Sequence, residues 1–215
     1  SASQVIAASQ AERQQVYHWL FSTSRKQAQD SRILSLLEVE GFLEIHRQWK
    51  RMGYPFASLV PSYATALGAS ADRPAALAEL MGILVNGGVR KPTQRIRGLR
   101  FAPDTPYEAN LQRHSGKSEQ VLAPQVAQVA LRAIQDVVDE GTARRVKNAF
   151  VGADGQVFAV GGKTGTGDHR FDVYGAGGQL LESRVVNRSA TFVFNIGQRF
   201  FGSITAYVHG PQAAQ

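Results

Sequence analysis

The sequence predicts an α+β fold, with an antiparallel β-sheet packed against helices. Two observations carry this expectation. Up to residue 140 apolar residues recur at helical spacing in several separate runs, and from residue 150 they alternate around two glycine-containing turns. Helices first and an antiparallel meander last is the order of an α+β domain, not of a chain alternating strand with helix.

The helical runs come in order. Gln10 to Leu20 is rich in helix formers, with Val16, Trp19 and Leu20 at helical spacing. Ser31 to Met52 places Ile33, Leu34, Leu36, Leu37, Phe42, Leu43 and Trp49 on an apolar stripe, which predicts both tryptophans in a core. Gly53-Tyr54-Pro55 ends that helix, because glycine accepts a left-handed cap and proline cannot continue a helix. A shorter pattern runs from Arg73 to Val85, and Asn86-Gly87-Gly88 stops it. Residues 89–123 read as an exposed, basic, loop-rich excursion with short strands at most. Pro124 opens a further helix, in which Val126, Val129, Ala130, Ile134, Val137 and Val138 recur at 3.6-residue spacing, and Gly141 closes it.

The strands follow. Gln156 to Val160 alternates, and Gly161-Gly162 is expected to break or bulge it. Phe171 to Tyr174 and Leu180 to Val186 flank Gly175-Ala176-Gly177-Gly178 as one hairpin. Ala190 to Ile196 and Phe200 to Val208 flank Gly197-Gln198-Arg199 as a second. The chain thus reads as a portion of one domain: 1–60 helical, 61–150 helices with the excursion, 151–215 antiparallel strands.

Composition bounds the function. The chain has 215 residues, 43% hydrophobic and 19% charged, which is ordinary for a globular chain able to bury a core. Its formal net charge of +7 is spread along the sequence. The densest cluster, Arg90 through Arg100, has no aromatic ladder beside it, so a nucleic-acid partner is not expected. Without cysteine there is neither a disulfide framework nor thiolate catalysis. His18, His46, His114, His169 and His209 are dispersed without paired metal spacing, so neither a zinc site nor a cofactor is expected. Asn187-Arg188-Ser189 matches a glycosylation triplet of a kind common by chance.

The chemically informative run is Gly161-Gly162-Lys163-Thr164-Gly165-Thr166-Gly167. Its Gly162-Lys163-Thr164 matches the end of a phosphate-binding P-loop. That loop also needs a glycine five residues earlier, where Val157 stands, and must open a helix whose N-terminus faces the anion. Strand patterns follow instead. The other reading is the Lys-Thr-Gly strand of serine acyl-transferases. There the lysine ammonium and threonine hydroxyl suit a substrate carboxylate. Gly165, lacking Cβ, admits substrate to the strand edge, where the next amide can serve an oxyanion. Strict alternation puts Lys163 and Thr164 on opposite faces, so both reach one ligand only along the edge. The tripeptide alone is equally compatible with an ordinary glycine-rich turn.

Three upstream segments accompany it: Pro61 to Ser70, then Asn86-Gly87-Gly88, then Glu140-Gly141-Thr142-Ala143. In that order, ahead of Lys163-Thr164-Gly165-Thr166, they resemble the transpeptidase domains of class A penicillin-binding proteins. The resemblance extends over about residues 30 to 210. It implies a β-lactamase/transpeptidase-like fold with a five-stranded antiparallel sheet, here as an incomplete domain. It also implies D,D-transpeptidation of peptidoglycan stem peptides through a serine ester, with β-lactams as mimics of the donor. Lys163 and Thr164 would then handle the donor carboxylate, Thr166 would supply half of the oxyanion hole through its amide, and Gly165 would leave the edge open. His169, just past the motif, is a further substrate-binding candidate.

The sequence also departs from that pattern. No Ser-x-x-Lys nucleophile is present, since Ser22 is followed at three by Arg25 and Lys26 is preceded at three by Thr23. Ala28-Gln29-Asp30 stands where Ser-x-Asn is expected, which makes Asp30 a weak site candidate and otherwise a helix N-cap. Asp168 to Ser189 reads as an extra hairpin near the mouth of the cleft. The nucleophile is accordingly expected from an upstream segment of the same polypeptide, and the resemblance implies an extracytoplasmic, membrane-anchored parent. The alternative is a catalytically inactive module that binds peptidoglycan or a cell-wall synthesis protein.

Overall fold

A computed structural model of the chain describes residues 2–67, 72–112, 114 and 116–210. It divides into two compact units, Ser1–Gln48 with Ala57–Ser70, and Trp49–Phe56 with Ala71–Gln215.

The first unit is helical. It holds α1 (Ala2–Ser22), the greater part of α2 (Lys26–Met52) and a 3-10 turn at Tyr63–Leu67. The Gln29 side chain donates to the Leu20 carbonyl at 2.6 Å, tying the start of α2 to the end of α1. Tyr63 meets Phe42 edge-on at 5.7 Å, and its amide donates to Glu38 at 2.9 Å. The expected apolar stripe of α2 is helical but buries none of its members completely, and Leu34 and Leu37 are more than half exposed. Trp19 is likewise 40% exposed rather than core. The reason is a shortage of partners, because one helix and one short turn cannot cover a stripe of this length. Asp30 is the fifth residue of α2, inside the helix and exposed, so it is not the N-cap. Gly68, Ala69 and Ser70, the end of the Pro61 segment, lie outside the described residues.

In the second unit α2 ends as expected at Gly53, whose φ of +103° only glycine adopts freely. Next comes α3 (Pro74–Val85), with proline in its first turn. The Asn86-Gly87-Gly88 stop is real: the Gly88 amide donates to the Ile83 carbonyl at 2.8 Å, with Gly87 and Gly88 at φ +64° and +86°. The excursion contains two small ladders, β1 (Val89–Arg90) with β4 (Glu119–Gln120) and β2 (Gly98–Phe101) with β3 (Ala109–Gln112). Then α4 (Pro124–Asp139) precedes three long strands, β5 (Val160–Tyr174), β6 (Leu180–Ile196) and β7 (Phe200–His209), antiparallel in the order β5-β6-β7. The architecture is α+β. Among the described residues the main sheet has three strands, not the five implied by the resemblance.

Two clusters hold helices to sheet. Met81 and Leu84 of α3 meet Ala127 of α4, with Leu131, Ile134 and Val193 packed against them. Val138, Ala143 and Val160 form the other, covered by Val137, Val146 and Phe192. Four members of the expected α4 stripe, Ala130, Ile134, Val137 and Val138, pack in these clusters, and Val126 and Val129 do not. Ala127 and Val138 are fully buried, whereas Val126 and Val129 are 53% and 70% exposed. The face that packs also takes in Ala127 and Leu131, and Val126 and Val129 lie to its side.

Two further expectations are corrected. Gln156 to Ala159 is not a strand beyond an isolated bridge of Val157 to Val151, because β5 starts only at Val160. Gly161 and Gly162 do not break it either, pairing regularly with Asn195 and Phe194. Nor is Asp168 to Ser189 a separate hairpin. It is the far end of the β5–β6 ladder, continuous through Gly167↔Ser189 and Asp168↔Arg188, with register shifts after His169 and after Val173. The ladder carries on because polar pairs span it there: Arg188 bonds Asp168 at 2.7 Å, and Arg170 reaches Ser183 at 2.8 Å.

Candidate functional site

The site is built on β5. This strand is an edge of its sheet, and it carries Lys163-Thr164-Gly165-Thr166 in regular register with Val193, Phe192, Thr191 and Ala190 of β6. No helix follows Lys163, since the strand runs on to Tyr174. A P-loop cannot be made from such geometry, because no helix N-terminus faces the lysine.

The glycines before the lysine are explained by close packing rather than by a turn. A Cβ on Gly161 would lie 2.5 Å from Asn195 Oδ1 and 3.1 Å from Ile134 of α4. One on Gly162 would lie 2.5 Å from the Phe192 ring. Both positions are fully buried, so this end of β5 is pressed into the core. Burial stops at Lys163. A Cβ on Gly165 would have nothing within 4 Å, and Lys163, Gly165 and Thr166 are exposed. The motif thus starts where β5 leaves the core, and the strand is open at Gly165.

The side chains differ in their partners. Lys163 Nζ donates to the Thr164 carbonyl at 2.6 Å, which holds the ammonium beside the β5 backbone. Thr164 is half-buried, and its Oγ1 lies 2.8 Å from Oγ1 of Thr142. Thr142 follows α4, inside the Glu140-Gly141-Thr142-Ala143 segment. Two of the segments that carried the resemblance are therefore joined by a hydroxyl pair. Thr142 was not among the site residues expected from sequence. The available signal was its place in the Glu140-Gly141-Thr142-Ala143 segment that precedes the motif.

The outlying candidates lie elsewhere. His169 Nδ1 is 2.5 Å from Asn187 Oδ1 across the ladder. It lies three residues beyond Thr166, roughly 10 Å along the strand, so it does not adjoin the motif. Beside it the Arg188 guanidinium holds the Asp168 carboxyl below its ordinary value. Asp30 belongs to the helical unit and not to the unit that carries β5. Among the described residues no cluster of three or more His, Asp or Glu is arranged to hold a metal.

Known proteins bear on this geometry. Over 137 residues the chain is 29% identical to penicillin-binding protein 1B of Escherichia coli (strain K12). The resemblance to penicillin-binding transpeptidase domains stands. It is partial: the match takes in 64% of this chain but 15% of that relative. Among solved structures, penicillin binding protein 3 from Mycobacterium tuberculosis aligns at a TM-score of 0.48 and 18% identity, over 76% of this chain and 39% of that one. A peptidoglycan synthetase from Bifidobacterium adolescentis aligns at 0.36 and 23%, over 62% and 21%. No family model matches the chain.

Proposed function

We propose that this penicillin-binding-like chain forms the Lys-Thr-Gly-Thr wall of a D,D-transpeptidase domain whose serine nucleophile is supplied by an upstream segment of the same polypeptide. The observation that carries the reading is the open edge of β5, buried up to Gly162 and exposed from Lys163, with Thr164 held by a second hydroxyl.

In this reading the C-terminal carboxylate of a peptidoglycan stem peptide lies along the edge, bound by the Lys163 ammonium and the Thr164 hydroxyl. A carboxylate only accepts hydrogen bonds, and both groups donate. The substrate backbone passes close to Gly165. The serine attacks the penultimate D-alanine carbonyl, and the negative charge that develops on its oxygen is met in part by the Thr166 amide. The C–N bond breaks, D-alanine leaves with a proton, and an amine of a second stem peptide takes the acyl group from the serine ester. β-Lactams would enter as mimics of the donor. The protein would act outside the cytoplasmic membrane, anchored by a segment preceding this chain. Among the described residues no helix is long and apolar enough to cross a membrane.

Labelling with a fluorescent penicillin tests this. The full parent polypeptide should label covalently and this chain alone should not, and Lys163→Ala in the parent should slow labelling. A parent that carries Ser-x-x-Lys yet does not label would sink the reading. In its place would stand a non-catalytic module that binds peptidoglycan or a cell-wall synthesis partner. Ala28-Gln29-Asp30 favours that second reading, since Asp30 stands exposed inside a helix where the resemblance expects an asparagine.

A further inference from the structure

Thr142 has no part in the chemistry above, yet its hydroxyl is 2.8 Å from that of Thr164. We infer that Thr142 is a positioning residue: it donates its proton to Thr164 Oγ1, and so turns the Thr164 hydroxyl outward to donate to the substrate carboxylate. This inference rests on the transpeptidase reading of β5.

The polarity follows from hydrogen-bond chemistry. A hydroxyl has one proton and two acceptor sites, and an ionised carboxylate has no proton to give. If Thr164 is to bind a carboxylate, its single proton must point at the ligand. Its remaining neighbour must then donate to it, and that neighbour is Thr142. In the opposite orientation Thr164 would spend its proton on Thr142 and present only lone pairs to an anion. A relay of two hydroxyls ending on a carboxylate is also polarised along its length, which strengthens each bond.

The backbone around Thr142 suits such a role. Gly141 donates its amide to the Val137 carbonyl at 3.1 Å, and a Cβ there would lie 2.8 Å from that same oxygen. Ala143, on the other side, donates to the Val137 carbonyl as well and is buried beside Val138 and Val160. Thr142 is therefore clamped between two residues that cannot move freely. One of the contacts that clamps it, Val160, is on β5 itself, four residues before Thr164. Thr142 is exposed, so its hydroxyl faces the same solvent that a ligand would displace.

The test uses the full parent polypeptide and the second-order rate constant for acylation by a fluorescent penicillin. Thr142→Val removes the donor with little change of shape and should lower the constant about 2- to 10-fold, the range set by one hydrogen bond. Thr142→Ser keeps the donor and should recover most of the rate. Thr164→Val should cost more, and in that background Thr142→Val should cost nothing further, since its effect passes through Thr164. A merely structural role would lower the thermal midpoint and slow acylation equally in both backgrounds. That result, or an unchanged rate in Thr142→Val, overturns the inference and leaves the transpeptidase reading in place. Failure of the wild-type parent to acylate would overturn both.

Discussion

The packing of Gly162 makes a prediction that separates structural from chemical roles among the motif glycines. In Gly162→Ala the new methyl would sit 2.5 Å and 2.6 Å from two carbons of the Phe192 ring and 2.8 Å from the Val193 carbonyl oxygen. Relief requires the ring to tilt and the Val193 backbone to shift. But Phe192 packs on the Val138, Ala143 and Val160 cluster, and it stacks on Phe194 at 6.0 Å. Overpacking of this kind costs about 1–3 kcal/mol. Replacing glycine within a strand returns about 0.5–1 kcal/mol, leaving a net loss of up to about 2.5 kcal/mol. Read by amide hydrogen exchange, that loss should speed exchange at the β6 amides near Phe192 by up to about 70-fold. Gly165→Ala is the internal control. Its methyl meets nothing within 4 Å, so protection should be unchanged or slightly raised. Shortening the ring with Phe192→Leu should shrink the Gly162→Ala effect, because the two sites share one contact. Equal protection in the two alanine variants would refute the account of β5 as buried up to Gly162 and free beyond it.

Two other expectations concern the remainder of the second unit. The Glu108 carboxyl is pulled down to about 2 by its hydrogen bond from Arg100, helped by the Asp104 amide and the Asn110 side chain. A folded value below the ordinary 4.5 means the contribution is complete above that pH and fades as pH falls toward 2. A pH titration of the Glu108 carboxyl carbon should therefore place its midpoint far below the usual range and show it rising in Arg100→Ala, whereas a wild-type midpoint near 4 would contradict the contact. Gly88→Ala should lower the thermal midpoint by several degrees, because φ is +86° and the methyl would collide with the Leu122 carbonyl. Gly87→Ala, with φ +64° and open space around it, should cost only the smaller backbone strain of about 1–2 kcal/mol.

What the sequence made legible was local. Helix stops at Gly53 and at Asn86-Gly87-Gly88 were readable because each needs a backbone conformation that glycine adopts without strain. Lys163-Thr164-Gly165-Thr166 was readable as a strand because no helix signal followed it. The failures share a different cause, which is that packing partners are not written in the segment being read. Val126 and Val129 fall at helical spacing with the packed Ala130 and Ile134, and only the position of α3 and the sheet decides where the buried face of α4 stops. The stripe of α2 is a correct helix pattern whose burial depends on neighbours that the helical unit lacks. Gly161-Gly162 looked like a break because glycine is usually placed for its freedom, yet here it is placed for its size. The same ambiguity hid the length of the β5–β6 ladder, since glycine and charged residues between 165 and 170 imitate a loop, while the pairs that extend the strands, Asp168 with Arg188 and His169 with Asn187, are 20 and 18 residues apart.

Thr142 belongs to this class of residue, and it shows why the site is more than its motif. Nothing local distinguishes a threonine after a helix end from any other polar cap. Its meaning comes from a partner 22 positions away on a strand edge, brought to 2.8 Å by the burial of Ala143 against Val160. If Thr164 binds a carboxylate as proposed, its proton must be directed, and without a partner the hydroxyl would rotate among its rotamers. In the proposed arrangement the apolar cluster beneath Thr142 supplies that direction. On this view the core around Val138 and Val160 does chemical as well as structural service, and a cavity there should weaken carboxylate binding before it unfolds the sheet.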